Sequence, residues 1–490
     1  MKMVKSLLLG SAAGLVAVAG AQAADLPVKA APVEYVKVCS LYGVGYYYMP
    51  GTDICMKIGG YIRFQTTFGT SDPTRPAFLH NRASTVLGSA GYGYRTRGVL
   101  TVDTRQQTAY GTLRTYFLIG FQNTNGNASD LYATRAFIQW AGFTFGRATS
   151  FFDHFPTGGR NYFSGNFHNS STGDGGWNVA AYTAQFGNGL SATISLEEPR
   201  TARGVSEVTA AAFPAGTLVN RSRYGGLRNY PDIVANLRVD QAWGSAMIGG
   251  ALHDASASYY GGALNPANTP VGPGDRMGWA LTAATQINLP MINPGSTFNA
   301  QFIYTRGAAQ YASHTSAGGG FLAFDGDRVG YGLLTDAVFA NPSAVAGAVS
   351  SGIELTTAWS LAASYEHVWR PGLKTSIYGS YLDVSFGGGG TALLCAAAFN
   401  TPVGAALPAG SGCSPNWSAW NIGSRTEWSP VRGLTLGVDV IYNRLETASF
   451  HNAAGTIPGG NVAWAGGTAT HYGNRDSFAG MFRIQRNYHP

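Results

Sequence analysis

The sequence predicts an all-β fold: a transmembrane antiparallel β-barrel of sixteen strands. Three observations carry that reading. Charge is sparse without long apolar runs, strand-length segments alternate with period two, and very short connections alternate with long ones. Only 12% of the 490 residues are charged, against about 25% in a typical soluble domain, yet mean hydropathy is near zero. The chain instead carries 67 Gly, 26 Tyr, 25 Phe and 10 Trp. After the N-terminal leader no segment approaches the roughly 18 uninterrupted apolar residues of a spanning helix. Abundant glycine and aromatics with little charge suit a wall that faces lipid on one side and water on the other. A soluble secreted propeller or sandwich fits the composition equally well, so the periodicity decides.

Lys2 and Lys5 precede an apolar run, Leu7 to Ala19, and a small-x-small site, Ala21-Gln22-Ala23. Residues 1–23 therefore read as a secretory signal peptide rather than a membrane anchor, the run being short for a span. Residues 24–53 show no alternation of barrel length and read as an N-terminal periplasmic segment, with the barrel itself over 54–490. Export implies an oxidising compartment. The four cysteines, in two close pairs, then read as local disulfides, Cys39–Cys55 and Cys395–Cys413. Each closes a loop worth on the order of 3 kcal/mol in the loop-entropy model. Zinc is the competing reading, and the cysteine spacings do not suit it.

The strands follow from alternation. In Thr112–Gln122, Leu113, Thr115, Phe117, Ile119 and Phe121 share one face, while Arg114 and Tyr116 share the other. In Leu434–Tyr442 the even positions are apolar and Asp439 lies opposite. Applied along the chain, the pattern places strands near 54–68, 92–104, 110–123, 131–141, 143–150, 177–187, 189–198, 231–243, 245–255, 277–289, 297–310, 354–369, 373–386, 418–429, 433–446 and 477–488. Fourteen and eighteen are the neighbouring even counts. Gly187-Asn188-Gly189 and Arg370-Pro371-Gly372 read as tight hairpin turns. Seven connections, among them 150–176, 311–352 and 387–416, are long. Short turns on one rim and long loops on the other are the mark of an outer-membrane barrel with periplasmic turns and extracellular loops. An even count puts both termini on the periplasmic rim, and sixteen strands enclose water rather than a packed core.

Three segments also carry a family resemblance. VKVCSLYGVGYYYMPGTDICMKIGGYIR (Val36–Arg63), FIQWAGFTFGRATSFFD (Phe137–Asp153) and FRIQRNY (Phe482–Tyr488) resemble the alphaproteobacterial porins, the outer-membrane porins of rhizobia, Brucella and their relatives. The resemblance spans the chain beyond the leader. It implies a sixteen-stranded, trimeric general-diffusion porin whose third loop folds inward and narrows the channel. One departure stands out: His489 and Pro490 follow Tyr488, where many such barrels end on an aromatic residue.

Selectivity in a wide tube needs a narrowing with a field across it. Alternation puts Lys57, Arg63, Arg95, Arg97, Arg114 and Arg135 on the polar face of the first four strands, a candidate basic wall of the constriction. The Debye length of about 8 Å at physiological salt is comparable to a pore radius, so such a field survives across it. The opposing acids are expected on the loop at 150–176, from Asp153 and Asp174, with Phe151, Phe152, Phe155, Tyr162, Phe163 and Phe167 pressing it against the wall. Each arginine alone could be a merely solvated lumen residue, and Asp153 could equally cap a turn. Arg147 and Arg160 flank the loop without an assigned face.

No Gly-x-Ser-x-Gly, His-Glu-x-x-His or phosphate-loop motif occurs. His154 and His168 share the loop but read as loop histidines rather than metal ligands, and Phe386–Thr391, with its four glycines, reads as flexible loop. The expectation is a passive channel for small hydrophilic solutes and ions, with no catalytic residue, cofactor, metal or nucleic-acid partner. Its expected partners are two further copies of the chain, outer-membrane lipid and lipopolysaccharide. A substrate-selective channel is the alternative, favoured by stacked aromatics at the narrowing. A plugged surface barrel acting as an adhesin is another, with 311–352 as the candidate cover.

Overall fold

The computed structural model describes residues 37–70, 91–154, 160–163, 167–170, 172, 175–200, 204–208, 219–220, 230–258, 273–313, 320–340, 351–403, 405–458, 462–464 and 467–488. Sixteen strands form the wall. They are β1 (Cys55–Phe68), β2 (Tyr92–Thr108), β3 (Gly111–Thr124), β4 (Asp130–Trp140), β5 (Phe143–Ala148), β6 (Trp177–Gly187), β7 (Leu190–Glu197) and β8 (Asp232–Gln241). The second half comprises β9 (Gly244–Asp254), β10 (Met277–Asn288), β11 (Thr297–Arg306), β12 (Glu354–Arg370), β13 (Leu373–Phe386), β14 (Trp417–Val431), β15 (Leu434–Glu446) and β16 (Arg475–Tyr488). Each pairs antiparallel with its neighbour in sequence, and β1 pairs antiparallel with β16 from Gly60↔Tyr488 to Phe68↔Gly480. The sheet is therefore closed, with sixteen strands as the alternation predicts. The leader assigned to 1–23 lies outside the described residues.

Side-chain direction follows the alternation. On β1, Ile58, Ile62, Phe64 and Phe68 are exposed outward while Gln65 and Thr67 are buried inside. Outward aromatics gather at the short-turn rim, where Tyr110, Trp140, Trp243, Trp369 and Trp428 are all exposed. Amphipathic rings at this level mark the lipid–water boundary. The turns there are tight. At β6–β7, Asn188 and Gly189 both have positive φ (49° and 77°), the geometry of a type I′ hairpin that matches the strands' right-handed twist.

The long-loop rim is built up. Gly320–Asp325 and Arg328–Leu333 form a hairpin, and Val205–Val208 pairs parallel with Ala337–Ala340. A helix, α1 (Gly388–Phe399), fills part of the β13–β14 connection and is tied by the Cys395–Cys413 disulfide. The four-glycine stretch is thus not a loop throughout. Ala and Leu from 392 onward favour helix strongly enough to carry the glycines into its first turn. Asn400 ends it in the left-handed conformation, its N–H reaching the carbonyls of Ala396 and Ala397. Tyr311, Leu334, Leu394, Trp417 and Phe450 from these connections and the adjoining wall share one buried apolar cluster with Phe152 of the β5–β6 loop. Within the described part of 311–352, Tyr311, Phe321, Leu333 and Val338 join this cluster, while Phe339 and Phe324 pack into two smaller ones.

At one end of the seam closure depends on a small residue. Gly60 has φ +153°, and a Cβ there would lie 2.0 Å from the Val99 carbonyl oxygen and 2.5 Å from the Tyr488 hydroxyl. Tyr488 lies across this gap and donates to Val99 O at 2.5 Å. Gly60→Val is therefore expected to block closure of the seam, lowering the yield of heat-modifiable folded barrel on cold electrophoresis. Gly187→Ala, at a position with open space around it, is expected to leave that yield within about twofold, since its strain alone is of order 1 kcal/mol.

Candidate functional site

The loop between β5 and β6 crosses the barrel interior. Near its start, Phe151 O accepts from Asn236 Nδ2 on β8, and His154 Nε2 meets Ser245 Oγ of β9 at 2.9 Å. Further on it reaches the opposite wall. Arg160 O accepts from Ser376 of β13, Tyr162 N donates to Asp439 Oδ2 of β15 at 2.5 Å, and Tyr162 Oη donates to Glu427 Oε1 of β14 at 2.7 Å. Phe163 and Phe167 are buried with Tyr378, Ile441 and Met481. It returns past β11, where Gln301 Nε2 donates to Ser170 Oγ. The loop is held against β8 to β16 and leaves the face of β1 to β5 across the lumen from it.

Tyr162 is the far anchor. Its ring lies 3.8 Å from Arg483 and 5.2 Å from Arg425, and burial followed by the Glu427 charge raises its hydroxyl pKa. Gly437 makes room for it: a Cβ there would come within 2.0 Å of the Tyr162 hydroxyl oxygen. Below the anchor, Arg425 pairs with Glu366 at 2.7 Å and Glu427 at 3.4 Å, and Lys374 bridges the same two acids.

Arg200 is the near anchor. It lies beyond β7, is 1% exposed, and pairs with Asp153 at 3.0 Å. Its guanidinium also donates to Ser170 O and Ser150 Oγ and stacks 4.2 Å from the Tyr311 ring. Asp153 accepts from both N and Oγ1 of Thr172 at 2.6 Å. Its carboxylate is 0% exposed, so it is neutralised within the loop and presents no charge to the lumen, where the sequence placed a pore-lining acid or a turn cap. Asp174 lies outside the described residues.

The six basic residues all lie on the lumen side, but they divide. Arg95 and Arg97 are packed, 6% and 4% exposed, with Arg97 3.7 Å over the Tyr132 ring and donating to Gln122. Lys57, Arg63, Arg114 and Arg135 are partly exposed. Arg63 donates to Gln485 across the seam. An extra residue in β4, between Ala133 and Arg135, shifts the register against β3 and turns Arg135 inward. Arg114 pairs with Asp103 at 2.8 Å, and Arg105 pairs with the same acid at 3.1 Å. Asp103 and Arg105 are new to the wall, and extending the odd-number parity of Arg95 and Arg97 would have found them. Beside Arg114, Tyr116 and Phe137 stack at 5.4 Å. Water-sized space of about 370 Å³ opens against Arg114, Tyr116, Arg135 and Thr149. A neighbouring space of about 460 Å³ runs between the loop and Arg135, Gln139, Asn236 and Arg238. Arg160 belongs to the loop's far end, its Nε 3.9 Å from Glu366. Arg147 shares the outward parity of Phe143 and Phe145 and donates to Gly175 O. Among the described residues no cluster of His, Cys, Asp or Glu has the makings of a metal site.

Tyr162→Ala is expected to free the loop from the far wall, giving larger and noisier single-channel conductance. Tyr162→Phe, which keeps the ring and the backbone bond, is expected to change conductance less. The second expectation concerns pH. Burial holds His154 down to about 4 and His168 down to about 3, from an ordinary 6.5. The displaced chain then binds more protons than the docked loop below about pH 6.5, so docking weakens as pH falls from there towards 4. Channel noise is expected to rise on acidification through that window, and a His154→Asn/His168→Asn chain is expected to lose most of that rise.

Comparison with known proteins agrees with this architecture. The family model described as "Porin subfamily" matches residues 25–481. Porin Omp2b of Brucella suis is 34% identical over 257 residues, covering 49% of this chain and 64% of that porin, and Omp2b of Brucella melitensis is 34% identical over 263 residues with the same coverage. The match thus spans less than two thirds of these relatives' own length. Among solved structures, the outer membrane channel DcaP of Acinetobacter baumannii superposes with a TM-score of 0.54 at 12% identity, covering 90% of this chain and 99% of that one, a likeness of fold. With its closed sixteen-stranded wall and its family match along nearly the whole length, the chain belongs to the porin subfamily of outer-membrane β-barrels.

Proposed function

We propose that the chain forms a passive, water-filled channel that lets small hydrophilic solutes and ions cross the outer membrane down their gradients, with a preference for anions at its narrowing. The observation that supports this reading is the asymmetric lumen. One side is occupied by a loop whose Asp153 is sealed by Arg200, and the other presents Lys57, Arg63, Arg114 and Arg135 as partly exposed side chains, with Arg95 and Arg97 packed behind them. Charges of one sign on low-dielectric walls focus the potential in the opening. No catalytic role is assigned to any residue, and the channel needs no cofactor. Family membership also supports assembly as a homotrimer in contact with lipid and lipopolysaccharide.

A second reading, a solute-selective channel, is favoured by the Tyr116–Phe137 stack beside Arg114. A flat ring with a cation at its edge retains anionic ring-bearing solutes better than inorganic ions.

Single-channel recording of the refolded chain in a planar bilayer tests both. Stepwise openings in sets of three are expected for an open trimer. Stable silence of folded protein would sink the channel reading in favour of a plugged surface barrel. In the open channel, Arg63→Gln/Arg135→Gln is expected to lower the chloride-over-potassium permeability ratio about two- to threefold, as charges within one Debye length of the path are removed. Arg97→Gln is expected to cost folding yield more than selectivity, because its guanidinium is packed on Tyr132.

A further inference from the structure

The N-terminal segment is more than a tether. Strand β2 pairs with β1 from Cys55 onward, but β16 reaches only as far as Gly60. Residues 55–59 of β1 therefore project beyond the end of β16 at the short-turn rim with one edge open. Tyr47 and Tyr48 fill part of that edge, pairing with Met56 and Cys55. The chain before them folds back as a hairpin: Val38 bridges Tyr47, Cys39 N donates to Tyr46 O at 2.9 Å, and Tyr48 N donates to Lys37 O at 2.8 Å. The Cys39–Cys55 disulfide locks the hairpin to β1.

The hairpin leans over the lumen side of the wall. Tyr46, 5% exposed, packs with Cys39 and Cys55, and its hydroxyl lies beside the Asp103 carboxylate. Arg105 lies 5.0 Å from the Tyr46 ring and 5.7 Å from the Tyr42 ring. Lys57 sits 5.7 Å from Tyr46 and donates to Val44 O, while Tyr42 Oη reaches Gln107. Lys37 lies 5.3 Å over Tyr48. Lys57, Asp103, Arg105 and Gln107 all have lumen-facing parity, so what covers them lies in the path of a solute. The result is a rim of three cations interleaved with three tyrosines, continuous with the basic wall. Cations over ring faces are held in place rather than waving in solvent, and the rings offer flat surfaces to a solute's body.

We propose that this disulfide-locked hairpin, Lys37–Tyr48, is a second constriction at the periplasmic mouth, a cation–tyrosine lip that contacts organic anions with a flat body and a carboxylate or phosphate. The proposal rests on the channel reading and adds a solute-contacting element outside the third loop. It assigns the disulfide a role in permeation, since the hairpin narrows the mouth only while tethered.

The test uses the full-length chain in planar bilayers, with benzoate and acetate as probes added from either side. Wild type is expected to pass or be blocked by benzoate more strongly than acetate when the anion enters at the short-turn rim. Cys39→Ser/Cys55→Ser, or wild type with dithiothreitol on that side, is expected to raise conductance and abolish the sidedness. Lys37→Gln/Tyr42→Ala, which keeps the bridge and substitutes no wall residue, is expected to reduce the benzoate-over-acetate preference about fivefold, the scale of losing two exposed cation–π contacts, Lys37–Tyr48 and Arg105–Tyr42. Open channels in which neither variant alters conductance or preference overturn the lip and leave the channel reading standing. Wild-type silence overturns both.

Discussion

Everything in this molecule depends on the seam between β1 and β16. In hydrocarbon an unpaired backbone N–H or C=O has no water to turn to, so a sheet can cross a membrane only if it has no open edge there. The antiparallel ladder from Gly60↔Tyr488 to Phe68↔Gly480 removes the last edge. Closure fixes the count as even, places both ends of the wall on one rim, and forces each strand to divide its side chains between lipid and lumen. The outward half must then be apolar, which Ile58, Ile62, Phe117, Ile194, Leu281 and Phe302 satisfy. The inward half is released from the need to form a core.

What fills that released interior is polar, and its order comes from anchors rather than from hydrophobic packing alone. A loop of this length inside an aqueous tube must offset a large conformational entropy. It does so at two points with different physics. At Arg200 and Asp153 a buried ion pair is surrounded by further donors and acceptors: both terminal guanidinium nitrogens and both carboxylate oxygens are bonded, and Arg200 Nε is left without a partner. At Tyr162 an aromatic ring lies against two arginines while its backbone and hydroxyl reach separate carboxylates. Asp153 is consumed by the first anchor, and Glu366, Glu427 and Asp439 of the opposite wall are consumed by Arg425, Lys374 and the second. Among the described residues, Lys57, Arg63, Arg114 and Arg135 of β1 to β4 stay partly exposed across the lumen from the loop. Lumen asymmetry is thus a by-product of how the loop is fastened.

The wall was legible because period-two alternation is a local signal that survives any long-range arrangement. The even strand count, the tight turns at Asn188 and Gly372, and the inward parity of Lys57, Arg63 and Arg114 all come from neighbouring residues. The anchors were not legible for the opposite reason. Arg200 follows Glu198-Pro199 in an irregular stretch, and its partner stands 47 positions away. Nothing local distinguishes it from a solvated loop arginine. Asp153 was found as a loop residue, but whether its charge faces water depends on a partner that only folding supplies. The burial of Arg95 and Arg97 is likewise invisible to parity, which reports a face and not what covers it. Helix α1 was missed because the four glycines at its start read as a loop and masked the Ala- and Leu-rich run that follows, while the buried cluster around Leu394 is assembled from distant loops.

The seam also explains the cysteine pair at the front of the chain. A barrel needs full pairing only across the hydrocarbon, and strands of unequal length leave open edges at the rims. Here β1 outruns the pairing with β16 by five residues, 55–59, and an exposed strand edge is a template for pairing with other chains. The hairpin at Lys37–Tyr48 covers that edge with only two residues of ladder, too little to hold by itself. A disulfide between the hairpin and β1 makes the short pairing permanent at the cost of two cysteines in a chain with four. The direction in which the hairpin can lean is then set by alternation: Cys55 points into the lumen, so whatever is bonded to it must lie on the lumen side. An edge-covering device in this position is placed over the mouth of the pore by the same geometry that makes it necessary.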